Sequence, residues 1–464
     1  MDMDSNSARR FFCPGRQAGI SYLAPQPGPL TRVRGSRTRL IAASRSAPVN
    51  QGMRRYMDDR WRWPDNLPIC EVLSCLVLME DARYAGSSVR IGDRMVLSGA
   101  AGERTRRRTA ENGFPGREAA LVEDFARRRD EDFVPIGVAP DDDSVPFAVD
   151  MRNGFNFYHF LTEALPQIAL IASHPGRAPI FVHLPDLQML RSFPLAFIRA
   201  IYPELAPRIA FTSNHRRYRR VRAVLNHRHY LYQTRHPGLG PVLQTIDRAD
   251  PWNRLDAGRE SRKFVYRNSF DTGMRLLRQD GLRRLDRKMS SDLPKRIWIG
   301  RDVSSGQARD RANLGEAELL EALGTRGFET LYMERLSPLE QIAAWHGAEV
   351  IVAPHGAGLA NMMFARSAAE IIEIGTRQTL KHRWGDFLGN AHVARCRYST
   401  VFADVNGTPQ DDTIPVTSMA EGLRGIDIGQ PAVDAVLGRV DAAIARGEQP
   451  VQADAGAPSG SALG

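Results

Sequence analysis

The chain has 464 residues, of which 42% are hydrophobic and 25% are charged, an ordinary composition for a globular protein. At about 100–200 residues per domain, this length predicts two to three domains. The formal net charge of +10 favours anionic partners such as nucleotide phosphates, nucleic acid or an anionic membrane surface. No apolar run reaches the ~18–20 residues that cross a bilayer, which argues against an integral membrane protein.

Cysteine usage and the N-terminal sequence bear on the compartment. The four cysteines match no zinc-binding spacing, so we expect buried thiols in a reducing environment. No apolar stretch follows the N-terminal arginines, so no secretory signal is expected. The sequence therefore predicts a cytoplasmic protein, and its basic charge allows a peripheral contact with the anionic inner face of the plasma membrane.

Changes in composition divide the chain into segments. Residues 1–60 are rich in Arg, Ser, Pro and Gly without apolar periodicity, which predicts a disordered basic extension or a start codon placed too far upstream. The pattern of residues 61–255 predicts an N-terminal α/β domain, and that of residues 256–425 predicts a C-terminal α/β domain. Residues 426–448 predict an amphipathic helix, and the Ala/Gly/Ser/Pro-rich residues 449–464 predict a disordered tail.

The N-terminal region contains a strand pattern at Ser88–Ile91 and a long helical pattern at Phe155–Ser173. The apolar run Pro179–Leu184 is typical of a buried parallel strand. The next pattern, Leu187–Tyr202, predicts a helix that is broken or kinked at Pro194.

The C-terminal region alternates strand and helix patterns, which predicts a parallel sheet with right-handed crossovers. Its strands are predicted at Lys295–Gly300, Phe328–Leu331, Ala348–Val352 and Ala369–Ile374. Between the second and third strands, Ser337, Pro338 and Glu340 have the spacing of an N-cap, a first helical residue and the end of a capping box.

The strongest local pattern is Pro354–Asn361 (PHGAGLAN), which follows a predicted buried strand and opens a helix. Parallel α/β sheets bind ligands at the carboxyl ends of their strands. Gly356 and Gly358 let the backbone approach a ligand, and the free N–H groups of a helix start favour phosphate. His355 could donate a hydrogen bond to a phosphate or to a transferred sugar. The alternative is a glycine-lined turn whose histidine bonds only to the protein.

Arginine and glutamate side chains near this turn have the chemistry to bind the diphosphate and the ribose of a nucleotide. Arg301 ends the first strand of the region and should point into the same crevice, where its planar guanidinium suits a diphosphate. Arg309 and Arg311 follow in a polar loop, where solvated arginines are the alternative. Glu373 lies in an apolar strand, where an unpartnered carboxylate is costly, so we expect it to bind a ribose diol or to sit in water at the strand end.

His159 and Glu163 are four residues apart and therefore share one face of the predicted helix. Such a pair can act as an oriented general base that removes the proton of an acceptor hydroxyl. From the spacing alone, a structural i,i+4 pair on an amphipathic helix is the better explanation.

No metal site is predicted. Asp141–Asp143 resembles an acidic run that binds Mg²⁺ or Mn²⁺, but it lies in a polar, proline-flanked loop where a solvated turn is the better interpretation. His227, His229 and His236 lack a matching carboxylate spacing.

The segments described above together resemble the family 61 glycosyltransferases, which include bacterial capsular-polysaccharide proteins and plant and animal xylosyl- and N-acetylglucosaminyltransferases. The resembling segments are Asn156–Glu163 (NFYHFLTE), Ile299–Arg301 (IGR), Leu336–Gln341 (LSPLEQ), His355–Ala365 (HGAGLANMMFA) and Ile371–Ile374 (IIEI). The resemblance spans roughly residues 67–400, and residues 336–374 are its most specific part.

The resemblance implies a GT-B-like α/β architecture, in which two Rossmann-like domains face a cleft and the C-terminal sheet is parallel. It implies an inverting, metal-independent transfer from a nucleotide sugar, commonly a UDP-sugar, to a glycan or polysaccharide acceptor of the cell envelope. The nucleotide sugar is a co-substrate, so no cofactor is expected.

The resemblance assigns the motif residues to two parts of the site, an acceptor side and a donor site. His159 and Glu163 would be the catalytic residues on the acceptor side, although the motif does not identify the base. Donor phosphates would contact Arg301 and Arg311. The other donor contacts would be His355, Gly356, Ala357, Gly358, Leu359, Asn361 and Glu373. The family's usual Asn-Glu pair, four residues after the second arginine, is replaced here by Gly315-Glu316, with Asn313 two residues earlier.

Two other functions stay open at this stage. One is a non-catalytic protein that keeps the nucleotide-sugar pocket. The other is a basic nucleic-acid-binding protein, which would need a basic stripe interleaved with exposed aromatics, and only Arg216–Arg222 with Tyr218 offers one. A nicotinamide-dependent dehydrogenase is excluded because no Gly-x-Gly-x-x-Gly turn precedes an acidic residue ~20 positions on. We therefore expect a nucleotide-sugar donor and a glycan acceptor as partners, and no nucleic acid.

Overall fold

The computed structural model describes residues 12, 14, 17–26, 30–61, 69–97, 136–228, 267–286, 289, 292–302, 313–407 and 423–448. Within these ranges, no helix combines the length and the apolar character that a membrane span requires.

Strands and helices alternate along most of the described chain. The strands are β1 (Ile20–Tyr22), β2 (Leu30–Val33), β3 (Arg37–Ala42), β4 (Ile69–Val72), β5 (Ser74–Ala85), β6 (Ser88–Ile91), β7 (Arg94–Met95), β8 (Phe147–Asp150), β9 (Ile180–His183), β10 (Ile209–Thr212), β11 (Arg216–Asn226), β12 (Ser269–Asp271), β13 (Arg296–Gly300), β14 (Glu329–Tyr332), β15 (Val350–Pro354), β16 (Glu370–Thr376), β17 (Arg397–Val405) and β18 (Ile426–Asp427). The α-helices are α1 (Ala47–Trp61), α2 (Phe157–His159), α3 (Leu165–Ala172), α4 (Phe193–Ile201), α5 (Thr272–Arg283), α6 (Glu316–Gly324), α7 (Pro338–Gly347), α8 (Arg377–His382), α9 (Leu388–Ala394) and α10 (Gln430–Glu448).

Shorter helical segments complete these elements. A π-helical turn at Phe160–Ala164 joins α2 to α3. The 3₁₀-helical segments are Leu187–Met189, Ala206–Arg208, Met333–Arg335 and Ala357–Phe364. The last of these begins directly after the predicted glycine turn, where the sequence predicts a short helix.

The N-terminal sheet is mixed, with the strand order β10-β9-β8-β11-β5-β6-β7 and with β1 paired to β5. Strands β8, β9 and β10 are parallel, whereas β11 is antiparallel to β5. The helical run from α2 to α3 connects β8 to β9, as parallel neighbours require. Because α2 follows the carboxyl end of β8, its side chains lie at the edge of the sheet where α/β proteins bind ligands.

The C-terminal sheet is the parallel sheet that the sequence predicts, with the order β14-β13-β15-β16-β17-β18 and with β3 beside β17. Every pairing in it is parallel except that of β17 with β18. Strands β15 and β16 are buried along their whole length, as expected where helices cover both faces. On one face, Val433, Val436 and Val440 of α10 pack against the sheet, so the amphipathic C-terminal helix is confirmed. On the other face lie Trp345 of α7 and the 3₁₀ helix Ala357–Phe364.

A small sheet with the order β12-β4-β2 connects the two halves of the chain. Helix α5, which follows β12, packs against α3 of the N-terminal half and against α7 of the C-terminal half. One hydrophobic cluster accordingly contains buried side chains from both halves, such as Phe160 and Phe364. The domain boundary at 255/256 and the arrangement of two Rossmann-like domains facing a cleft stay predictions.

Part of the predicted disordered extension is ordered, so that prediction is wrong for residues 17–26 and 30–60. Strand β3 pairs in parallel with β17, from Arg37 opposite Arg397 to Ala42 opposite Phe402. Beyond the strand, Ser44 Oγ donates a hydrogen bond to the carboxylate of Asp404. These partners lie more than 300 residues away in the chain, so local apolar periodicity does not report them. The predicted tail at residues 449–464 lies outside the described residues.

The predictions made from residues that begin or interrupt a helix are partly correct. The capping box at the start of α7 is confirmed, because Ser337 N donates to Glu340 Oε2 at 2.7 Å and Glu340 N donates to Ser337 Oγ at 3.4 Å. The predicted break in the Leu187–Tyr202 helix is present, but it lies at residues 190–192 and not at Pro194. The 3₁₀ segment Leu187–Met189 is separate from α4, and Pro194 lies in the first turn of α4, where its missing N–H breaks no helical bond.

Candidate active site

The glycine turn lies at the carboxyl edge of the C-terminal sheet, between β15 and the 3₁₀ helix. His355 follows β15, and its N–H donates to the Ile374 carbonyl of β16 at 2.8 Å. The next residues are open to solvent, because Ala357 is exposed while Gly356 and Gly358 are half-buried. The backbone of this turn is therefore accessible, as a phosphate-binding turn must be.

Arg301 leaves the adjacent strand β13 and reaches this turn. Its Nη2 donates to the His355 carbonyl at 2.6 Å. A Cβ added at Gly356 would lie 3.4 Å from the same Nη2, at van der Waals contact, so the guanidinium lies close against the turn. Burial lowers the pKa of Arg301, and the nearby carboxylates of Glu316 and Glu334 oppose that shift. Because an arginine stays charged in proteins, Arg301 places a partly desolvated cation beside the turn.

A small crevice, open to solvent, forms a pocket that begins at Arg301 and His355. Its lining residues are Arg301, Asn313, His355, Thr376, Thr379, Leu423, Arg424, Gly425 and Ile426. Its ionisable lining groups are two arginines and a histidine, and the threonines supply hydroxyl groups. The pocket is therefore suited to an anionic ligand with hydrogen-bonding oxygens.

Asn313 and Glu316 form a pair in the structure although they are not adjacent in sequence. Asn313 Nδ2 donates to Glu316 Oε2 at 2.9 Å, and Asn313 Oδ1 accepts from Ile426 N at 3.3 Å. The departure from the family's Asn-Glu spacing thus still leaves an asparagine in the wall of the pocket.

Glu373 does not have the position expected of a ribose ligand. Its side chain is 1% exposed and lies under the His355 ring, whose Nδ1 contacts Oε1. Its Oε2 accepts from Tyr398 Oη and from Thr400 Oγ1, the latter at 3.1 Å. The expectation of a solvated strand end is wrong, because the carboxylate is buried. The ribose contact stays a prediction that this geometry does not favour, since the carboxylate already has protein donors and does not line the pocket.

Two other predicted donor contacts are also buried. Leu359 packs in the hydrophobic core. Asn361 is fully buried, and its Nδ2 donates to Gln341 Oε1 at 3.1 Å. Both side chains face the protein because the 3₁₀ helix lies on the sheet, so only the earlier residues of the turn can contact a ligand. Arg309 and Arg311 lie outside the described residues.

His159 and Glu163 do form the predicted pair at the carboxyl edge of the N-terminal sheet. His159 Nδ1 lies 2.8 Å from Glu163 Oε1. Asn156 caps α2 by accepting from His159 N at 3.3 Å, which fixes the backbone at the histidine. Both side chains are only about a tenth exposed. A carboxylate that holds Nδ1 leaves Nε2 as the ring nitrogen that can accept a proton.

Sequence reasoning missed Arg152, which completes this cluster. Its Nε donates to Glu163 Oε2 at 3.0 Å, and its Nη2 lies 2.8 Å from Glu163 Oε1. Its Nη1 lies 3.4 Å from His159 Nε2. Arg152 could have been predicted from its position just after β8, because Arg301 likewise follows the end of β13.

Aromatic rings connect the two predicted halves of the site. Tyr158, next to His159, packs edge to face on Phe387, with 5.4 Å between ring centroids. Phe387 in turn lies 5.4 Å from the His355 ring. Helix α2 also packs against the 3₁₀ helix that follows the glycine turn. The structure therefore brings the His159 cluster and the glycine turn to the same side of the molecule.

The two motifs rejected as metal sites have protein partners. Arg222, fully buried, contacts Asp141 and Asp143 at 3.0 Å each. Arg220 lies 3.4 Å from Asp142. The ring of His227 is buried, with Nδ1 3.2 Å from the Leu73 carbonyl. His229 and His236 lie outside the described residues.

Comparison with known proteins identifies the class of enzyme. Residues 157–372, from the start of α2 through the glycine turn to β16, match the family model described as Glycosyltransferase 61. The match indicates a glycosyltransferase, a class of enzyme whose substrates are a donor and an acceptor. The match supports its assignment to glycosyltransferase family 61 and confirms the resemblance found in the sequence. A search of curated proteins found no match.

Proposed function

We propose that the chain transfers a sugar, with inversion and without a metal ion, from a nucleotide sugar to a glycan or polysaccharide acceptor. The donor we propose is a UDP-sugar. The observation that carries this proposal is the pocket where Arg301, His355 and the open glycine turn meet at the carboxyl edge of a parallel sheet.

The pocket supports a nucleoside diphosphate as its ligand. Arg301 and Arg424 supply positive charge, and the exposed backbone at Ala357 can supply N–H donors. Donors placed where charge develops lower the barrier to loss of the diphosphate. These groups can stabilise the leaving group in the role that a divalent cation has in metal-dependent transferases.

The His159 cluster supports single-displacement chemistry. Glu163 holds Nδ1 of His159, which leaves Nε2 as the basic nitrogen. Nε2 can take the proton of an acceptor hydroxyl, as that oxygen attacks the anomeric carbon, once the acceptor displaces the Arg152 Nη1 that lies 3.4 Å from it. Attack on the side opposite to the leaving diphosphate inverts the anomeric configuration. Arg152 neutralises Glu163 and keeps the pair in one geometry.

A panel of nucleoside diphosphates and nucleotide sugars, tested by thermal shift, examines the donor site directly. A ligand that binds only the folded state raises the melting temperature, and UDP or a UDP-sugar should give the largest rise. No rise with any nucleotide would refute the proposed donor site. In parallel, His159→Ala should abolish transfer while UDP still binds, and normal turnover would remove His159 as the base.

A further inference from the structure

The buried carboxylate of Glu373 has no role in the function proposed above. One oxygen contacts Nδ1 of His355, and the other accepts from Tyr398 and Thr400. An ionised carboxylate only accepts hydrogen bonds, and here donors are available on both oxygens. This arrangement requires a proton on Nδ1 of the His355 ring, so any proton that the ring gives to a ligand must come from Nε2.

The groups behind Glu373 fix its orientation. Trp384 Nε1 donates to Thr400 Oγ1 at 3.2 Å, so the hydroxyl hydrogen of Thr400 is left for Glu373. Tyr398 is fully buried, and its pKa is raised well above its usual value, first by burial and then by the charge of Glu373. Tyr398 therefore stays protonated and stays a donor to the carboxylate.

The His355 ring is held from several sides, and one nitrogen remains for a ligand. Phe387 packs against the ring, and Arg301 binds the carbonyl of the same residue. Within the described part of the chain, Nε2 has no hydrogen bond, and His355 lines the pocket. The charged groups around the ring are Glu373 beneath it and Arg301 and Arg424 in the pocket wall.

We propose that His355 is the proton donor to the leaving diphosphate and that Glu373 is the residue that positions it. The proposal rests on the donor site proposed above. Glu373, held by Tyr398 and Thr400, holds Nδ1 of His355 and so aims Nε2–H at the phosphate oxygen that carries the departing charge. The buried carboxylate thus acts through the histidine rather than on the donor's ribose.

His159 accepts a proton and His355 donates one, so the protons balance over the reaction. The acceptor oxygen forms its bond to the anomeric carbon and loses its proton to His159 Nε2. The bond from that carbon to the diphosphate oxygen breaks, the electron pair stays on the diphosphate, and His355 Nε2 gives it a proton. One ring gains the proton that the other loses, and solvent restores both before the next turnover.

The closing experiment compares two buried glutamates of the same strand. Glu373 and Glu370 are each 1% exposed and point to opposite faces of the sheet, Glu370 toward Arg439 and Arg446 of α10. Glu373→Gln should lower the kcat of UDP release from a UDP-sugar by about 10–100-fold, as loss of an orienting partner does. Glu370→Gln should lose stability, because Arg439 and Arg446 lose their anion. The folded variant, assayed below its melting temperature, should still keep kcat within about twofold of the parent, because Glu370 does not line the pocket.

Further variants keep the test valid if Glu373→Gln folds poorly. Tyr398→Phe and Thr400→Val each remove one donor to Glu373 and should lower kcat more than they raise KM. His355→Ala should lower kcat by about 10²–10⁴-fold, as loss of a general acid does, and added imidazole should restore part of it.

Two results separate failure of this inference from failure of the proposed function. If the parent protein binds UDP and releases it from a UDP-sugar, but folded Glu373→Gln matches Glu370→Gln in kcat, the role of Glu373 is refuted. If the parent binds no nucleoside diphosphate in calorimetry, the donor site itself is refuted. A Glu373→Gln variant that weakens UDP binding at unchanged kcat would also refute a role in proton donation.

Discussion

Tyr158 and Phe387 pack edge to face with their ring planes 89° apart, although they are distant in the chain and belong to different halves of it. The Tyr158 hydroxyl also donates to the Asp386 carbonyl at 2.7 Å. The neighbour of Tyr158 is His159, and Phe387 lies against His355. This contact therefore sets the spacing between the proposed base and the proposed proton donor.

Substitution at this contact should affect turnover more than folding. We expect Tyr158→Phe to keep the ring contact, lose the hydrogen bond to Asp386, and destabilise the protein by about 1 kcal/mol. The same change should lower kcat, because α2 loses one of its attachments to the C-terminal half. Urea unfolding and steady-state kinetics of UDP release measure the two effects. Unchanged kcat would show that the ring packing alone sets the spacing.

Removal of Arg301 should weaken nucleotide binding. Arg301→Ala takes away a partly desolvated cation, and hydrogen bonds to charged groups are worth about 1.5–3 kcal/mol, so the Kd for UDP should rise by at least tenfold. The control is Arg335→Ala, whose side chain is 59% exposed and pairs with Asp302 outside the pocket lining. Calorimetry with UDP should show a change only for Arg301→Ala. An equal Kd in both variants would place the diphosphate elsewhere.

The buried ion cluster around Glu370 should be important for stability. Arg439 and Arg446 of α10 contact its carboxylate at 2.6 and 2.7 Å. Glu370→Gln leaves two guanidinium groups without their anion and should cost about 3–5 kcal/mol. Glu349→Gln is the matched control, because its side chain is 46% exposed and 4.0 Å from Arg366, and it should cost less than about 1 kcal/mol. Similar urea midpoints for the two variants would contradict this difference.

Two glycines should respond to alanine in opposite directions. Gly315 has φ +71° at the start of α6, and an added Cβ would overlap the Ile428 carbonyl. Gly315→Ala should therefore destabilise the protein by about 1–3 kcal/mol. Gly438 lies within α10, and an added Cβ would meet nothing within 4 Å, so Gly438→Ala should stabilise by up to about 1 kcal/mol. Thermal unfolding of both variants tests the pair, and a loss of stability in Gly438→Ala would disagree with the helix geometry.

Acid should destabilise the fold through buried neutral histidines. Burial lowers the pKa of His392 to about 4, against the hydrogen bond to the Arg267 carbonyl, and lowers the pKa of His227 to about 4 as well. Between about pH 4 and the ordinary histidine value of about 6.5, the unfolded chain binds more protons than the folded chain. The free energy of unfolding should therefore fall as pH drops through that window. Urea titrations at pH 7 and pH 5 measure it.

The contacts of His392 explain this effect and give a variant that checks it. Its Nδ1 accepts from Ser36 N at 3.1 Å, so a proton on Nδ1 would break that bond. His392→Gln cannot take up the proton and should show a smaller loss of stability between pH 7 and pH 5. An equal loss in the variant and the parent would mean that other groups cause the pH dependence.

The sequence predicts the parts of this protein that depend on local pattern. The C-terminal strands, the capping box at Ser337 and the helix Gln430–Glu448 are visible as apolar periodicity and cap residues. The glycine turn and Arg301 are also correctly placed at one sheet edge, because carboxyl ends of parallel strands meet there. The i,i+4 spacing of His159 and Glu163 is enough to find their contact.

What the sequence could not predict depends on contacts between distant residues. Glu373 looks like a ligand-binding carboxylate until the structure places Tyr398, Thr400 and His355 around it. Asn361 carries a polar side chain that a motif assigns to the donor, yet the 3₁₀ helix turns it toward Gln341. Side-chain direction depends on how an element packs, and spacing along the chain does not contain that information.

Strand β3 makes the early part of the chain essential to the solubility of the whole. A shortened protein beginning at Met53 would lack β3 and would leave the backbone N–H and C=O groups of Arg397–Phe402 unpaired along one border of the sheet. Such a border recruits strands from other molecules and leads to aggregation. In the intact chain, β3 fills that border, and the exposed Arg37 and Arg39 repel an incoming copy by their charge.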